Sequence, residues 1–148
     1  MKNDNEKKLI LILILIFLVL TLFISNSLKI KNKNLEQLKD IEEQEIINKK
    51  FEELINCESS NNELAINRKD SDGTASFGLL QWKPETFRRL AVKYGIIGEK
   101  ADWNWIMTLI FDRRVNKKIF TEIMNDTAEN PYNLWPICCK KIGCKFKN

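Results

Sequence analysis

The sequence predicts a mainly helical protein, a small helical domain with one short β-hairpin, preceded by an N-terminal transmembrane helix. Three features indicate this. An unbroken apolar run lies near the N-terminus, apolar residues recur at three- and four-residue steps through most of the rest, and a single turn-rich stretch interrupts them at residues 67–76. At 148 residues, with 44% of them apolar, the chain fits one domain with a compact core.

The N-terminal segment indicates export. Lys2, Lys7 and Lys8 precede an apolar run over residues 9–24 that has no polar face, so it is expected to enter a membrane. We expect residues 1–8 to be a cytoplasmic n-region and residues 9–27 to be either an uncleaved signal anchor or a cleaved signal peptide, with "SNS" at residues 25–27 as a weak cleavage site. Both alternatives place the remainder outside the cytoplasm, membrane-anchored or secreted.

The next segment, residues 28–50, is expected to be a linker followed by a stalk helix. Residues 28–34 are rich in Lys and Asn, and the helical spacing begins at Leu35 and continues to Leu54 and Ile55. This helix should end near residues 58–60, where Ser and Asn accumulate.

The rest of the chain predicts a hairpin and further helices. The turn formers of residues 67–76 favour a small β-hairpin or an irregular loop, and Pro84 opens a helix that stops at Gly95. Asp102 is expected to cap a single helix over residues 103–124, and Asn130-Pro131 interrupts the chain after it. We expect four residues of this helix to be buried: Trp105, Ile106, Leu109 and Ile110.

Composition excludes several function classes. The net charge of +4 comes from 24 basic and 20 acidic residues that are mixed along the chain, so no nucleic-acid interface is predicted. Histidine is absent, which excludes His-based triads and His metal sites. No metal and no cofactor are expected.

The four cysteines are Cys57, Cys138, Cys139 and Cys144. Their spacing does not suit a zinc site, and in an exported chain they favour disulfides. We expect Cys57 to bond to Cys138 or Cys139, which closes a loop of about eighty residues. We expect the second, shorter disulfide to join Cys144 to whichever of Cys138 and Cys139 does not bond to Cys57.

Glu58 is the candidate catalytic residue. It stands at the end of an apolar-faced helix beside a cysteine, where lost solvation would raise the pKa of its carboxyl and let it carry a proton at neutral pH. The alternative is a solvated glutamate at a helix end, one of many acidic residues in the chain.

Two short motifs resemble those of the lysozyme-like superfamily. Glu58-Ser59 and "FGLLQ" at residues 77–81 resemble the Glu-Ser and Gly-Leu-Met-Gln motifs of lytic transglycosylases, and "AINRKDSDGTASFGLLQ" is similar to the hairpin of animal C-type lysozymes. "KPETF" and "NLWPIC" resemble later parts of transglycosylase domains. The resemblance covers residues 51–144 and implies an α+β lysozyme-like domain acting on peptidoglycan glycan strands.

The resemblance also implies residue roles. Glu58 matches the acid that protonates the glycosidic oxygen between N-acetylmuramic acid and N-acetylglucosamine. Tyr94 and Tyr132 are alternatives for a cleft hydroxyl, with core packing as the other interpretation of each. Three residues have a structural role as the alternative to substrate binding. Ser59 would cap a helix, Gly78 would form a turn, and Gln81 would be buried and hydrogen-bonded to backbone groups. The substrate-binding residues that the resemblance implies are Ser59, Ser76, Gly78, Leu80 and Gln81.

Ser76 departs from the lysozyme pattern. C-type lysozymes place their second carboxylate at this position, and serine cannot serve as the nucleophile of a retaining hydrolase. The sequence therefore favours a lytic transglycosylase, in which one glutamate acts as acid and then as base and gives 1,6-anhydro products. The alternatives are a muramidase that uses Asp70 or Asp72 with water, a domain that only binds glycan or scaffolds, and a coiled-coil adaptor built on residues 35–55.

Overall fold

A computed structural model describes residues 4–70 and 72–144, except the side chains of residues 4–12 and 14–16. The chain divides into two compact units, residues 1–44 and 45–148. The first helix, α1, extends from Asp4 to Ser59, over a stretch of sequence without glycine or proline. Residues 28–34, expected to be a linker, are helical, because Lys and Asn there do not break a helix that has no Pro or Gly.

The first unit consists of the N-terminal part of α1. Its described side chains from Phe17 to Ile24 are exposed, including Phe17 at 67% and Phe23 at 72%. Among the residues with described side chains, no helix is long and apolar enough to span a membrane. The transmembrane segment predicted at residues 9–24 lies partly outside those residues.

The second unit is mainly helical, as predicted. α1 ends at Ser59 because Ser60 and Asn61 adopt left-handed backbone angles, with φ of 53° and 62°. Two short antiparallel strands follow, β1 (Ile66–Asn67) and β2 (Ser76–Phe77), with Ile66 paired to Phe77. The predicted hairpin is therefore confirmed.

The remaining helices are short. α2 (Pro84–Lys93) starts at the predicted proline and stops before Gly95, where φ is 66°. The single helix predicted over residues 103–124 is wrong, because the chain forms α3 (Trp103–Ile110) and α4 (Arg113–Asn125) instead. Asp112 accounts for the break, since its carboxylate accepts the backbone N–H groups of Arg114 and Val115 and starts a new helix. Two more helices follow within the described residues: α5 (Pro131–Leu134) and α6 (Pro136–Ile142).

Helices from the whole unit contribute to its core. Phe51 of α1 packs on Phe120 of α4 with ring centroids 5.6 Å apart, and Trp135 packs on both Phe120 and Trp82. On α3, Ile106, Leu109 and Ile110 are buried as expected, but Trp105 is 51% exposed. At 100° per residue, position 105 lies about 90° from the centre of the face that residues 106, 109 and 110 form, so Trp105 stands at the edge of that face and stays partly in solvent.

Candidate active site

Glu58 lies in a cleft of about 570 Å³ in the second unit. The last turns of α1 contribute Cys57 and Glu58 to its lining, and the hairpin loop contributes Asp70 and Asp72. The turn before α2 and the first turn of that helix add Gln81, Lys83 and Thr86, while the chain from Asn133 to Cys138 supplies a mainly apolar wall. The cleft therefore has a charged side and an apolar side.

Glu58 is half-buried in this cleft. Burial raises the pKa of its carboxyl to about 7, and the negative charge of Asp70 contributes to the rise. A carboxyl with this pKa is protonated in about half of the molecules at neutral pH, so it can both donate and accept a proton there.

A disulfide attaches the apolar wall to the helix that carries Glu58. Cys57 is bonded to Cys138, with the two Cα atoms 5.8 Å apart, and Cys139 is bonded to Cys144. The expected long bridge and short bridge are both confirmed. The wall is held further by Trp135, whose indole N–H donates to the backbone carbonyl of Leu80 at 2.8 Å.

Asp70 and Asp72 both pair with Lys83. The Lys83 ammonium lies 3.0 Å from a carboxylate oxygen of Asp70 and 2.9 Å from one of Asp72. Asp72 also accepts hydrogen bonds from the hydroxyl and the backbone N–H of Thr74, at 2.7 and 2.9 Å. Those bonds, with the Lys83 contact, hold the pKa of Asp72 far below its usual value.

Gln81 is the one predicted substrate-binding residue found among the described residues that line the cleft. Its backbone has a φ of 49°, and its side-chain amide donates to the carbonyl of Gly78 at 2.9 Å. Its side-chain oxygen accepts a hydrogen bond from the hydroxyl of Ser76 at 3.0 Å. Ser76 is fully buried, so its connection with the cleft runs through Gln81.

The other predicted residues have structural partners. The Ser59 hydroxyl donates to the carbonyl of Ile55 one turn earlier in α1, at 3.0 Å. Leu80 is fully buried in the core. Gly78 packs against α3, where a Cβ atom at its position would lie 2.5 Å from the carbonyl oxygen of Ile110. Their substrate-binding roles stay predictions.

The two tyrosines lie outside the described lining of the cleft. Tyr94 donates its hydroxyl to Asp126 at 3.1 Å, and burial together with this hydrogen bond raises the pKa of the phenol. Tyr132 is half-buried and packs against the core.

Lys83, Thr86, Asn133 and Ile137 line the cleft but were not predicted from the sequence. Ile137 is 80% exposed, an unusual position for a large apolar side chain. No local pattern marks Lys83, since its carboxylate partners precede it by more than ten residues and depend on the hairpin being folded.

Comparison with protein-family models, with curated proteins and with solved structures finds no match for this chain in any of the three.

Proposed function

We propose that the chain is a peptidoglycan lytic transglycosylase that cleaves the β-1,4 bond between N-acetylmuramic acid and N-acetylglucosamine. The observation that carries the proposal is Glu58, half-buried in a cleft of about 570 Å³ with its pKa raised to about 7. A group with this pKa at neutral pH suits a reaction in which one residue must first give and then take a proton.

In the proposed reaction, Glu58 protonates the glycosidic oxygen as the bond to C1 of the muramic sugar breaks. The leaving glucosamine takes that proton, and positive charge develops at C1 and the ring oxygen. The Glu58 carboxylate then accepts the proton of the C6 hydroxyl of the same muramic sugar, whose oxygen bonds to C1. The product is a 1,6-anhydro sugar, and the enzyme returns to its starting protonation state without consuming water.

A muramidase reaction is the second candidate, because Asp70 and Asp72 line the same cleft. Either carboxylate would have to activate a water molecule as a general base. The lowered pKa makes Asp72 a weak base, and both carboxylates pair with Lys83. These contacts favour the transglycosylase reaction over hydrolysis.

Product analysis separates the two reactions. Purified peptidoglycan digested with the full chain in mild detergent should yield muropeptides that end in 1,6-anhydro sugars, which mass spectrometry detects as one water lighter than reducing-end products. Reducing ends alone would exclude the transglycosylase and support the muramidase.

Substitution of Glu58 tests catalysis itself. Glu58→Gln keeps the shape of the side chain and removes the proton donor, so activity should fall by a factor of about 100 or more while binding to cell walls persists. Glu85→Gln is the matched control, because Glu85 is exposed on α2 and this substitution makes the same chemical change as Glu58→Gln. If wild type and Glu58→Gln bind walls and release equally little product, the chain is a glycan-binding or scaffold protein.

We further propose that the domain acts outside the cytoplasm and is held at the membrane by residues 9–24. The apolar run, the exposed Phe17 and Phe23 side chains and the two disulfides support this, since disulfides persist in oxidising compartments. Intact-mass measurement of the protein from the membrane fraction tests it. A chain that retains residues 1–27 and sediments with membranes is anchored, whereas a shortened soluble chain indicates a cleaved signal peptide.

A further inference from the structure

Lys83 connects the hairpin loop to the start of α2. It is the residue immediately before α2, and its ammonium makes three contacts of 3.0 Å or less with side-chain oxygen atoms of the hairpin loop. These are Asp70 Oδ2 at 3.0 Å, Asp72 Oδ1 at 2.9 Å and Thr74 Oγ1 at 2.7 Å. A lysine ammonium has three N–H donors, so these contacts occupy all of them.

This bonding restricts what Lys83 can do in the cleft. Burial opposes its charge, but the hydrogen bonds to Asp72 and Asp70 outweigh that effect and raise the pKa of Lys83. It therefore keeps its proton at neutral pH, and it has no remaining donor for a sugar. Proton transfer and substrate binding are both poor roles for it, and a fixed positive charge is the role that remains.

The charged side chains among the described lining of the cleft are Glu58 from α1, Asp70 and Asp72 from the hairpin loop, and Lys83. The lining residues of α5 and α6 carry no charge, and both cysteines in the lining are disulfide-bonded. Among the described residues that line the cleft, Lys83 is therefore the one cation. Its direct partner Asp70 is the carboxylate whose charge acts on Glu58.

We propose that Lys83 is a positioning residue of the cleft: it holds Asp70 in place and counters its negative charge, and so sets the pH at which Glu58 exchanges its proton. This inference rests on the proposed function of Glu58. Without Lys83, the negative charge of Asp70 would act more strongly on Glu58, and the working pH range of the site would move upward. Lys83 would influence turnover through Asp70, without touching the substrate.

Lys83→Met removes the charge and keeps most of the side-chain volume. We expect it to raise the pKa of Glu58 by about half a unit or more, because an opposite charge beside Asp70 is lost. Lys83→Arg keeps the charge and can still pair with the carboxylates, so it should restore the wild-type pKa. Lys83→Gln is the second neutral variant, to be used if Lys83→Met does not fold as judged by circular dichroism.

A double-mutant cycle tests whether Lys83 acts through Asp70. Asp70→Asn alone should lower the pKa of Glu58, since it removes a negative charge that raises it. In the Asp70→Asn background, Lys83→Met should shift the pKa of Glu58 by less than half as much as it does in the wild type. Equal shifts in the two backgrounds would show that Lys83 acts on Glu58 independently of Asp70.

The measurement is an NMR titration of carboxyl-¹³C-glutamate in the full chain in mild detergent, with the Glu58 signal assigned by its absence from Glu58→Gln. The pH profile of kcat/KM on purified peptidoglycan should move by the same amount. The inference is overturned if Lys83→Met leaves the pKa of Glu58 unchanged, lowers it, or shifts it equally in the Asp70→Asn background. The NMR result does not depend on turnover, so it stands apart from the proposed function, which fails if Glu58→Gln retains activity.

Discussion

Cys57 and Cys138 form a disulfide between the residue that precedes Glu58 and a wall of the cleft, 81 positions apart in sequence. The bond joins the end of α1 to α6, so the catalytic candidate and the apolar wall are attached covalently. Cys139, the next residue of α6, bonds instead to Cys144, only 5 positions away. The two disulfides therefore restrict the unfolded chain to very different extents.

Removal of the long disulfide should destabilise the protein more than removal of the short one. On the loop-entropy model, Cys57→Ala/Cys138→Ala loses about 4 kcal/mol of unfolding free energy and Cys139→Ala/Cys144→Ala about 2 kcal/mol. Urea unfolding of both variants provides the comparison, with the short-loop pair as the matched control. The long-loop variant should also lose activity, because its cleft wall is no longer attached to α1. Equal losses of stability in the two variants would show that loop entropy does not govern their effects.

The turn at residues 78–81 packs so closely against α3 that only glycine fits at position 78. The φ of 72° at Gly78 disfavours any side chain, and an added Cβ would lie 2.5 Å from the carbonyl oxygen of Ile110. Gly95 has a similar φ of 66° but open space around it, so it isolates the backbone cost. We expect Gly95→Ala to cost about 1 kcal/mol and Gly78→Ala about 3 kcal/mol or more, measured by thermal unfolding. Similar costs at the two positions would mean that the turn and α3 separate easily.

Asn116 is a fully buried polar residue that joins three parts of the domain. Its side-chain oxygen accepts the indole N–H of Trp82 at 2.7 Å, and its amide donates to the carbonyls of Ile110 and Asp112, each at 2.8 Å. Asn116→Ala leaves the indole N–H of Trp82 and the carbonyl of Ile110 without this partner, whereas the carbonyl of Asp112 keeps its bond from the backbone N–H of residue 116. The substitution should cost about 3 kcal/mol. Asn125→Ala is the control, since Asn125 is exposed at the end of the same helix.

A double-mutant cycle attributes part of the Asn116 effect to a single bond. Trp82→Phe removes the indole donor, so Asn116→Ala should cost about 1 kcal/mol less in that background than in the wild type. Urea unfolding of the four proteins measures the coupling. A coupling near zero would mean that the contact between Asn116 and Trp82 contributes little to stability.

Local patterns predicted most of the helical framework. The turn formers of residues 67–76 predicted the hairpin, and Pro84 and Gly95 predicted both ends of α2. The break between α3 and α4 was missed because the apolar spacing continues across it. Only the hydrogen bonds of the Asp112 carboxylate mark the new start, and an aspartate inside a helix-like pattern is not decisive by itself.

The candidate site was predictable only in part. Glu58 follows from its place at a helix end beside a cysteine, and the structure adds its burial and raised pKa. The role of Lys83 was not predictable, because it depends on the folded hairpin bringing Asp70 and Asp72 to one ammonium. Ser76 was expected in the cleft from the motif alignment, but its side chain faces the interior and reaches Gln81. A sequence motif specifies the order of residues, but the packing of the folded chain determines where each side chain points.

The raised pKa of Glu58 makes stability depend on pH in a defined direction. The native carboxyl titrates at about 7 and the same group in the unfolded chain at about 4.5. Between these values the native state holds a proton that the unfolded state has lost, so its contribution is complete below about pH 4.5 and disappears as the pH rises through about 7. Wild type should therefore lose stability relative to Glu58→Gln, which cannot titrate, as the pH rises.

Urea unfolding at about pH 5 and about pH 8 measures this difference, because those two values lie near the limits of the change. Glu85→Gln is again the control, since Glu85 is exposed on α2 and lies outside the described lining of the cleft. A stability gap between wild type and Glu58→Gln that stays constant across this range would contradict the raised pKa. The proton that Glu58 is proposed to give to the glycosidic oxygen would then be absent at neutral pH, because an ordinary glutamate is ionised there.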